Sequence, residues 1–313
     1  MKKICFVSFY SGPFPDYFPF FLESCRRNPT VDFVIFNDTV GAEKLLGNVR
    51  IAGLSRGQFE RLVEDKLGFK VNITRGLKIA EFRPALGFLF SDMLRDYDFW
   101  GYCDVDQIFG DIRKFIGDEM LSACDVVTTT RRWVAGHFAL FRNKEKVNRL
   151  FMRSPNYREV FQDSSRNWHF EESGLRWDGI ERSVDALAAE GQPVSIYDLV
   201  RSGQSKGWLK AHFGGNIREH SGTSTINYLH KHVALTDLGN GEEFMYHHLV
   251  TVKNFWWFYI PRWTRIPDVY HITDHGMRTP SEMRLPGAFF WRIRWGLNFL
   301  RAFARSLRGK FVG

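Results

Sequence analysis

Asp104 and Asp106, in the run FWGYCDVDQIFGDI from Phe99 to Ile112, are the residues whose type and spacing point most directly to chemistry. Residues two apart on an extended chain face the same side, so both carboxylates can be presented to one point at a strand end. Two hard oxygen ligands aimed at one point suit a divalent cation, Mn²⁺ or Mg²⁺, whose remaining positions take water and phosphate oxygens. The predicted chemistry is capture of a diphosphate through a metal. The same pair also suits a surface turn in which Asp104 and Asp106 cap backbone amides.

A second group is Trp168-His169-Phe170-Glu171-Glu172, followed by Trp177-Asp178. Aromatic rings beside carboxylates serve carbohydrate sites, where sugar CH faces stack and hydroxyls take hydrogen bonds. The same rings equally suit a loop packed on the core. Glu171, Glu172 and Asp178 are the candidates for a base or an anchor of an acceptor hydroxyl. Late in the chain, Tyr246-His247-His248 precedes Lys253, which offers an imidazole ligand and a positive point for a diphosphate.

The elements that must position these groups alternate. Ile4–Ser8 reads as a strand, Asp16–Arg26 as a helix, Val31–Phe36 as a strand, Val49–Leu54 as a short strand, Arg56–Leu67 as a polar helix and Leu77–Leu94 as a long helix. Further strands are expected at Asp125–Thr129 and Gly136–Arg142, with helices at Asn156–Val160 and Val184–Glu190. Such alternation predicts an α/β fold with a mixed, mainly parallel sheet flanked by helices, Rossmann-like in plan, whose ligands lie at the carboxyl ends of the strands. Ser8, Phe9, Tyr10, Asn37 and Asp38 fall there and are expected to line a donor crevice. No Gly-x-Gly-x-x-Gly follows the first strand and no P-loop occurs, which argues against dinucleotide binding and P-loop NTPase chemistry.

Composition sets the outer bounds. The 313 residues are 44% hydrophobic and 16% aromatic, enough for a large core and unlike a disordered chain. The net charge of +8 favours an anionic partner. The four cysteines form no C-x-x-C pair and read as buried thiols of a reducing compartment. The apolar N-terminal run is cut by Ser8, Ser11 and Gly12, so it reads as a strand and not a secretion signal.

Taken together, KIAEFRPALGFLFSDMLRDYDFWGYCDVDQIFGDI, Phe33–Asn37 before it, and the later HFEE and EFMYHHLVTVK segments resemble bacterial GT-A-fold glycosyltransferases of a little-characterised type associated with surface polysaccharide synthesis. The resemblance spans about residues 2–255 and is most specific from Lys78 to Ile112. It implies metal-assisted sugar transfer from a nucleotide sugar, a UDP-sugar before others, to a glycan or lipid-linked acceptor. By position it makes Asp104 and Asp106 the D-x-D, with Asp104 also reaching ribose or sugar hydroxyls, Lys78 and Arg83 donor-facing, and Tyr246, His248 and Lys253 the late metal and diphosphate segment. The spacing of six from His247 to Lys253, shared with galactosyltransferases of lipooligosaccharide synthesis, keeps His247 as the alternative ligand. Glu171-Glu172 stands where similar proteins show Asp-Glu. Inversion and retention both stay open.

The resemblance implies a GT-A-like domain over residues 1–275, leaving 276–313 as a basic aromatic tail. On a helix, Arg294, Arg301, Arg305 and Arg308 form one stripe beside Trp291, Trp295, Phe299, Phe303 and Leu307. Residues 287–313 are therefore expected to lie on an anionic membrane surface, making the protein cytoplasmic and peripheral on the inner face of the membrane, or else to dock as an amphipathic helix on the core. Two other functions fit in part. A metal-dependent phosphoryl or nucleotidyl transferase would use the same D-x-D, and a non-catalytic polyanion-binding protein would use only the net charge; no nucleic-acid partner is expected.

Overall fold

The computed structural model describes residues 1–172, 184, 187, 190, 193–219, 227–255 and 257–284. Asp178, most of the expected helix Val184–Glu190, and the expected surface-binding tail 287–313 lie outside the described residues. The chain divides into two compact units, each assembled from three separate stretches.

The first unit comprises Met1–Phe14, Asn28–Val105 and Arg113–Gly215. Its eight-stranded sheet runs Lys44–Leu46, Val49–Gly53, Val31–Asn37, Ile4–Tyr10, Phe99–Cys103, Phe138–Arg142, Val126–Thr128, Ala211–Phe213. Four of the seven pairings are parallel and three antiparallel, so the fold is mixed α/β with a large, mostly parallel sheet flanked by helices. The central strands are β-branched and aromatic runs buried on both faces, as parallel strands require. Phe6 packs against Phe33 at 5.5 Å and Phe138 at 5.0 Å between ring centroids. Burial in Ile4–Tyr10 ends at Phe9 and Tyr10.

Helix Arg56–Leu67 starts at a capping box, with Ser55 and Gln58 satisfying each other's backbone amides, and stops at Gly68 in the left-handed region. The expected long helix Leu77–Leu94 does not form. A 3₁₀ helix occupies Gly76–Ala85 and a single α-turn Leu86–Leu89. Pro84 is the reason: it has no N–H to donate, and it disfavours the α conformation in the residue before it. The three-residue period puts Lys78, Glu81 and Pro84 on one face, and all three are buried.

The second unit comprises Pro15–Arg27, Asp106–Ile112 and Asn216–Gly313. It contains a three-stranded sheet, Arg218–Glu219 beside Tyr246–His248 beside Gln107–Phe109, and a four-stranded antiparallel sheet built from Ala234–Asp237, Asn227–Lys231, Val269–Thr273 and Gly276–Arg278. Helix Phe18–Arg26 carries Phe20 onto Trp263 at 5.5 Å and Tyr270 at 5.6 Å. Among the described residues, no helix is long and apolar enough to cross a membrane.

Candidate metal and carboxylate sites

In the second unit, strand register assembles the first group. Tyr246–His248 pairs antiparallel with Gln107–Phe109, His248 opposite Gln107, and the Leu249 N–H donates to the Asp106 carbonyl at 2.9 Å. Asp106 therefore lies beside His248. On the other side, Arg218–Glu219 pairs in parallel with His247–His248, bringing Glu219 next to His248.

The side chains complete the arrangement. His248 Nε2 stands 3.3 Å from Asp106 Oδ1, and His248 Nδ1 donates to Glu219 Oε1 at 2.6 Å. Lys253, in a short 3₁₀ turn tied by its N–H to the Leu249 carbonyl, places Nζ 2.5 Å from Asp106 Oδ2. Asp106 is 3% exposed. Burial by itself pushes its pKa up, but the hydrogen bond and charge of His248, and then Lys253, more than offset that, so the carboxyl is held well below its usual range. Asp106 is an anion at neutral pH.

These residues fit a divalent cation. Asp106 Oδ1 is buried and faces His248 Nε2 across 3.3 Å. A carboxylate can only accept, so the bond to Glu219 fixes the proton on Nδ1 when the ring is neutral and turns the lone pair of Nε2 toward that oxygen. A mixed imidazole and carboxylate set leans toward Mn²⁺ over Mg²⁺, which prefers oxygen alone. His247 goes elsewhere. One step along the strand from His248, it faces the opposite side of the sheet, fully buried with its ring 5.1 Å from that of Tyr228. Tyr246 is equally buried, edge-on to Phe109 at 5.8 Å, so the expected donor contact of Tyr246 gives way to a core role.

In the first unit a carboxylate group gathers on Arg83. The guanidinium donates to Glu171 Oε1 through Nη1 at 3.0 Å and to Asp104 Oδ1 through Nη2, and it lies over the Tyr102 ring at 5.7 Å. Glu172 accepts from the Gly136 N–H at 3.1 Å. At Gly136 a Cβ would come within 2.8 Å of Glu171 Oε1 and 2.9 Å of Glu172 Oε1. Burial pushes the Glu171 carboxyl up to about 8; Arg83 opposes this, and the neighbouring acids Glu81 and Glu172 add to it. One guanidinium serves several carboxylates, which supports the upward direction. Burial also raises Glu172.

Glu81 was not anticipated. Its buried carboxylate accepts the N–H of Trp168 at 2.6 Å, of His169 at 3.2 Å and of Phe170 at 3.2 Å, and His169 sits at φ +50. Glu81 thus fastens the turn that delivers Glu171 and Glu172. Glu81→Ala is expected to cost about 3 kcal/mol of stability by leaving three donors unmet, two of them buried, read from the urea midpoint at constant m-value. An unchanged midpoint contradicts this role.

The other donor candidates divide. Lys78 is fully buried, and Nζ donates to the Val160 carbonyl at 2.5 Å. Asn37 is also spent internally, its amide donating to the carbonyls of Tyr10 and Gly12 at 2.8 Å each and its oxygen accepting from Thr39. Ser8 Oγ donates to the Cys103 carbonyl at 2.6 Å. Asn37 and Ser8 hold the strand ends in place. Asp38 accepts from Ser11 Oγ at 2.5 Å and the Gly12 N–H at 2.6 Å and lies 3.5 Å from Arg56. Phe9 and Tyr10 stay partly exposed, Tyr10 stacked on Phe14.

Residues 6–258 match the Family of unknown function (DUF6625), and the chain belongs to that family. No protein of curated function matches it. Among solved structures it is similar to galactosyltransferase LgtC in complex with donor and acceptor sugar analogues, at 14% identity and a TM-score of 0.32, over 55% of this chain and 71% of that one. Mouse xyloside xylosyltransferase 1 in its apo form overlaps at 11% identity and a TM-score of 0.40, over 70% and 88%. The glycosyltransferase GlyE of Streptococcus pneumoniae TIGR4 overlaps at 10% identity and a TM-score of 0.29, over 52% and 44%.

Proposed function

We propose that this protein is a metal-dependent glycosyltransferase that moves a sugar from a nucleotide-sugar donor to a glycan or lipid-linked acceptor in cell-surface polysaccharide synthesis. The observation that carries this reading is Asp106: a buried, ionised carboxylate facing His248 Nε2, with Glu219 orienting the imidazole and Lys253 on its other oxygen. Asp106 and His248 are the ligands that would hold Mn²⁺ or Mg²⁺, and the D-x-D spacing adds Asp104 on sequence grounds. A cation held there supplies positive charge to the diphosphate oxygens as the sugar–phosphate bond breaks.

The chain's own groups do the rest. Lys253 supplies a second positive point for the departing diphosphate, and the Glu219 hydrogen bond keeps His248 in the ligating tautomer. Arg83 balances Asp104 and Glu171, so its part is to fix those carboxylates. Phe9, Tyr10 and Asp38, at or just beyond the carboxyl ends of their strands, are assigned to the nucleoside, with Asp38 an acceptor for hydroxyls. Residues 287–313 are assigned to an anionic membrane surface, where a lipid-linked acceptor would share the plane.

The test is a thermal-shift screen of UDP-, GDP-, CMP- and dTDP-sugars with and without Mn²⁺, followed by product analysis. A UDP-sugar is expected to raise Tm only when Mn²⁺ is present, equivalent to about 2.7 kcal/mol at a ligand concentration of about 100 times Kd. Free sugar and nucleoside diphosphate as products support sugar transfer. Sugar phosphate and nucleoside monophosphate would instead identify a nucleotidyl or phosphoryl transferase, the second reading that a cation-bound diphosphate allows.

A further inference from the structure

We infer that His169 is the general base that takes the proton from the acceptor hydroxyl, with Glu172 and Glu81 as the positioning residues that pose it; this rests on the glycosyl-transfer reading above. Four observations in the first unit converge on this imidazole. His169 Nδ1 stands 3.6 Å from Glu172 Oε2, while the opposite oxygen of Glu172 is pinned by the Gly136 N–H at 3.1 Å. The ring is 44% exposed, whereas the neighbouring carboxylates Glu171 and Glu172 are 7% and 16% exposed. The backbone is left-handed, φ +50, which costs a residue other than glycine energy and persists only where surroundings impose it. Here Glu81 imposes it, by accepting the amides of Trp168, His169 and Phe170.

A carboxylate 3.6 Å from Nδ1 beside an accessible ring favours histidine as a base, because its charge stabilises the imidazolium that forms. Glu171 is a poorer choice, being buried against Arg83. In the step, the acceptor O–H bond breaks and its proton goes to His169 Nε2. The oxygen's electron pair forms the bond to the anomeric carbon, and the carbon–oxygen bond to the diphosphate breaks with its electrons leaving on the phosphate. Glu172 then faces a cationic ring.

Steady-state donor hydrolysis and transfer to a glycan acceptor, in the full chain with Mn²⁺, test this with His169→Ala and His169→Asn. Asparagine tolerates the left-handed backbone, so it guards against a folding defect. Both variants are expected to lose at least ~100-fold in kcat with KM for the donor unchanged, and to keep the Mn²⁺-dependent thermal shift with the nucleotide sugar. Added imidazole is expected to restore turnover in His169→Ala and not in Asp106→Ala. Glu172→Gln is expected to lower kcat less than His169→Ala does. Full kcat in both His169 variants overturns the assignment while leaving glycosyl transfer standing. Absence of any donor-dependent shift or turnover in the unaltered protein overturns the transfer reading, and this assignment with it.

Discussion

Asp106→Ala is expected to abolish Mn²⁺-dependent turnover of the nucleotide sugar, by about 10³-fold or more, while leaving the protein folded. The size follows from what the residue holds. A cation facing the departing diphosphate supplies several kcal/mol of charge stabilisation, and about 4 kcal/mol is a thousandfold in rate. Asp106 is the buried carboxylate between His248 and Lys253, so its loss removes a ligand and releases Lys253, whose side chain is 26% exposed and can reach water. The Mn²⁺-dependent thermal shift should vanish with the activity. Asp106→Asn separates charge from shape: it keeps the volume, lacks the anion, and is expected to behave like alanine. Wild-type turnover in either variant would rule out a cation on this carboxylate.

Arg83→Met is expected to destabilise the fold by about 1–3 kcal/mol at neutral pH, where Asp104 loses its partner, and by more at alkaline pH, where Glu171 is also charged and uncompensated. Arg83 is 23% exposed, and Glu171 7%, so little solvent is available to take over. The sign with pH follows from Glu171. Its carboxyl rises from 4.5 to about 8 on folding, so the folded state binds more protons in that window, and stability falls as pH rises from about 4.5 to about 8. Arg83 works against that rise, so in Arg83→Met the fall extends to higher pH. Urea midpoints at pH 5, 7 and 8.5 should diverge most at the alkaline end. Glu171→Gln should flatten the dependence; a profile unchanged by Glu171→Gln would mean that another group titrates.

Much of this was legible in the sequence because it is written in short-range patterns. Val31–Phe36 and Arg56–Leu67 are strand and helix as periodicity indicates, and D-x-D spacing is local information. Pro84 marks a helix break in the sequence, and it outweighs the helical spacing of Leu77–Leu94. Lys78, Asn37 and Tyr246 suggest donor contacts by residue type, whereas burial decides whether a side chain reaches a ligand. That depends on which face a 3₁₀ or strand period turns inward. Glu219 and Glu81 carry no motif: one reaches His248 across a strand pairing and the other meets Trp168–Phe170 far along the chain. His248 rather than His247 as the partner of Asp106 was undecidable from adjacency, and a one-residue register choice resolves it.

The way the second unit is threaded has a consequence for biosynthesis. Phe18–Arg26 and Gln107–Phe109 leave the ribosome long before Tyr246–His248 and Tyr270, the segments they pack or pair with. A nascent chain halted before Asn216 would carry Phe20 and Ile108 uncovered, both buried in the finished unit, and invite chaperone capture or aggregation. Neither unit can be liberated by a single cut, so C-terminal deletions reaching into the second sheet would register as lost expression before they mapped any activity.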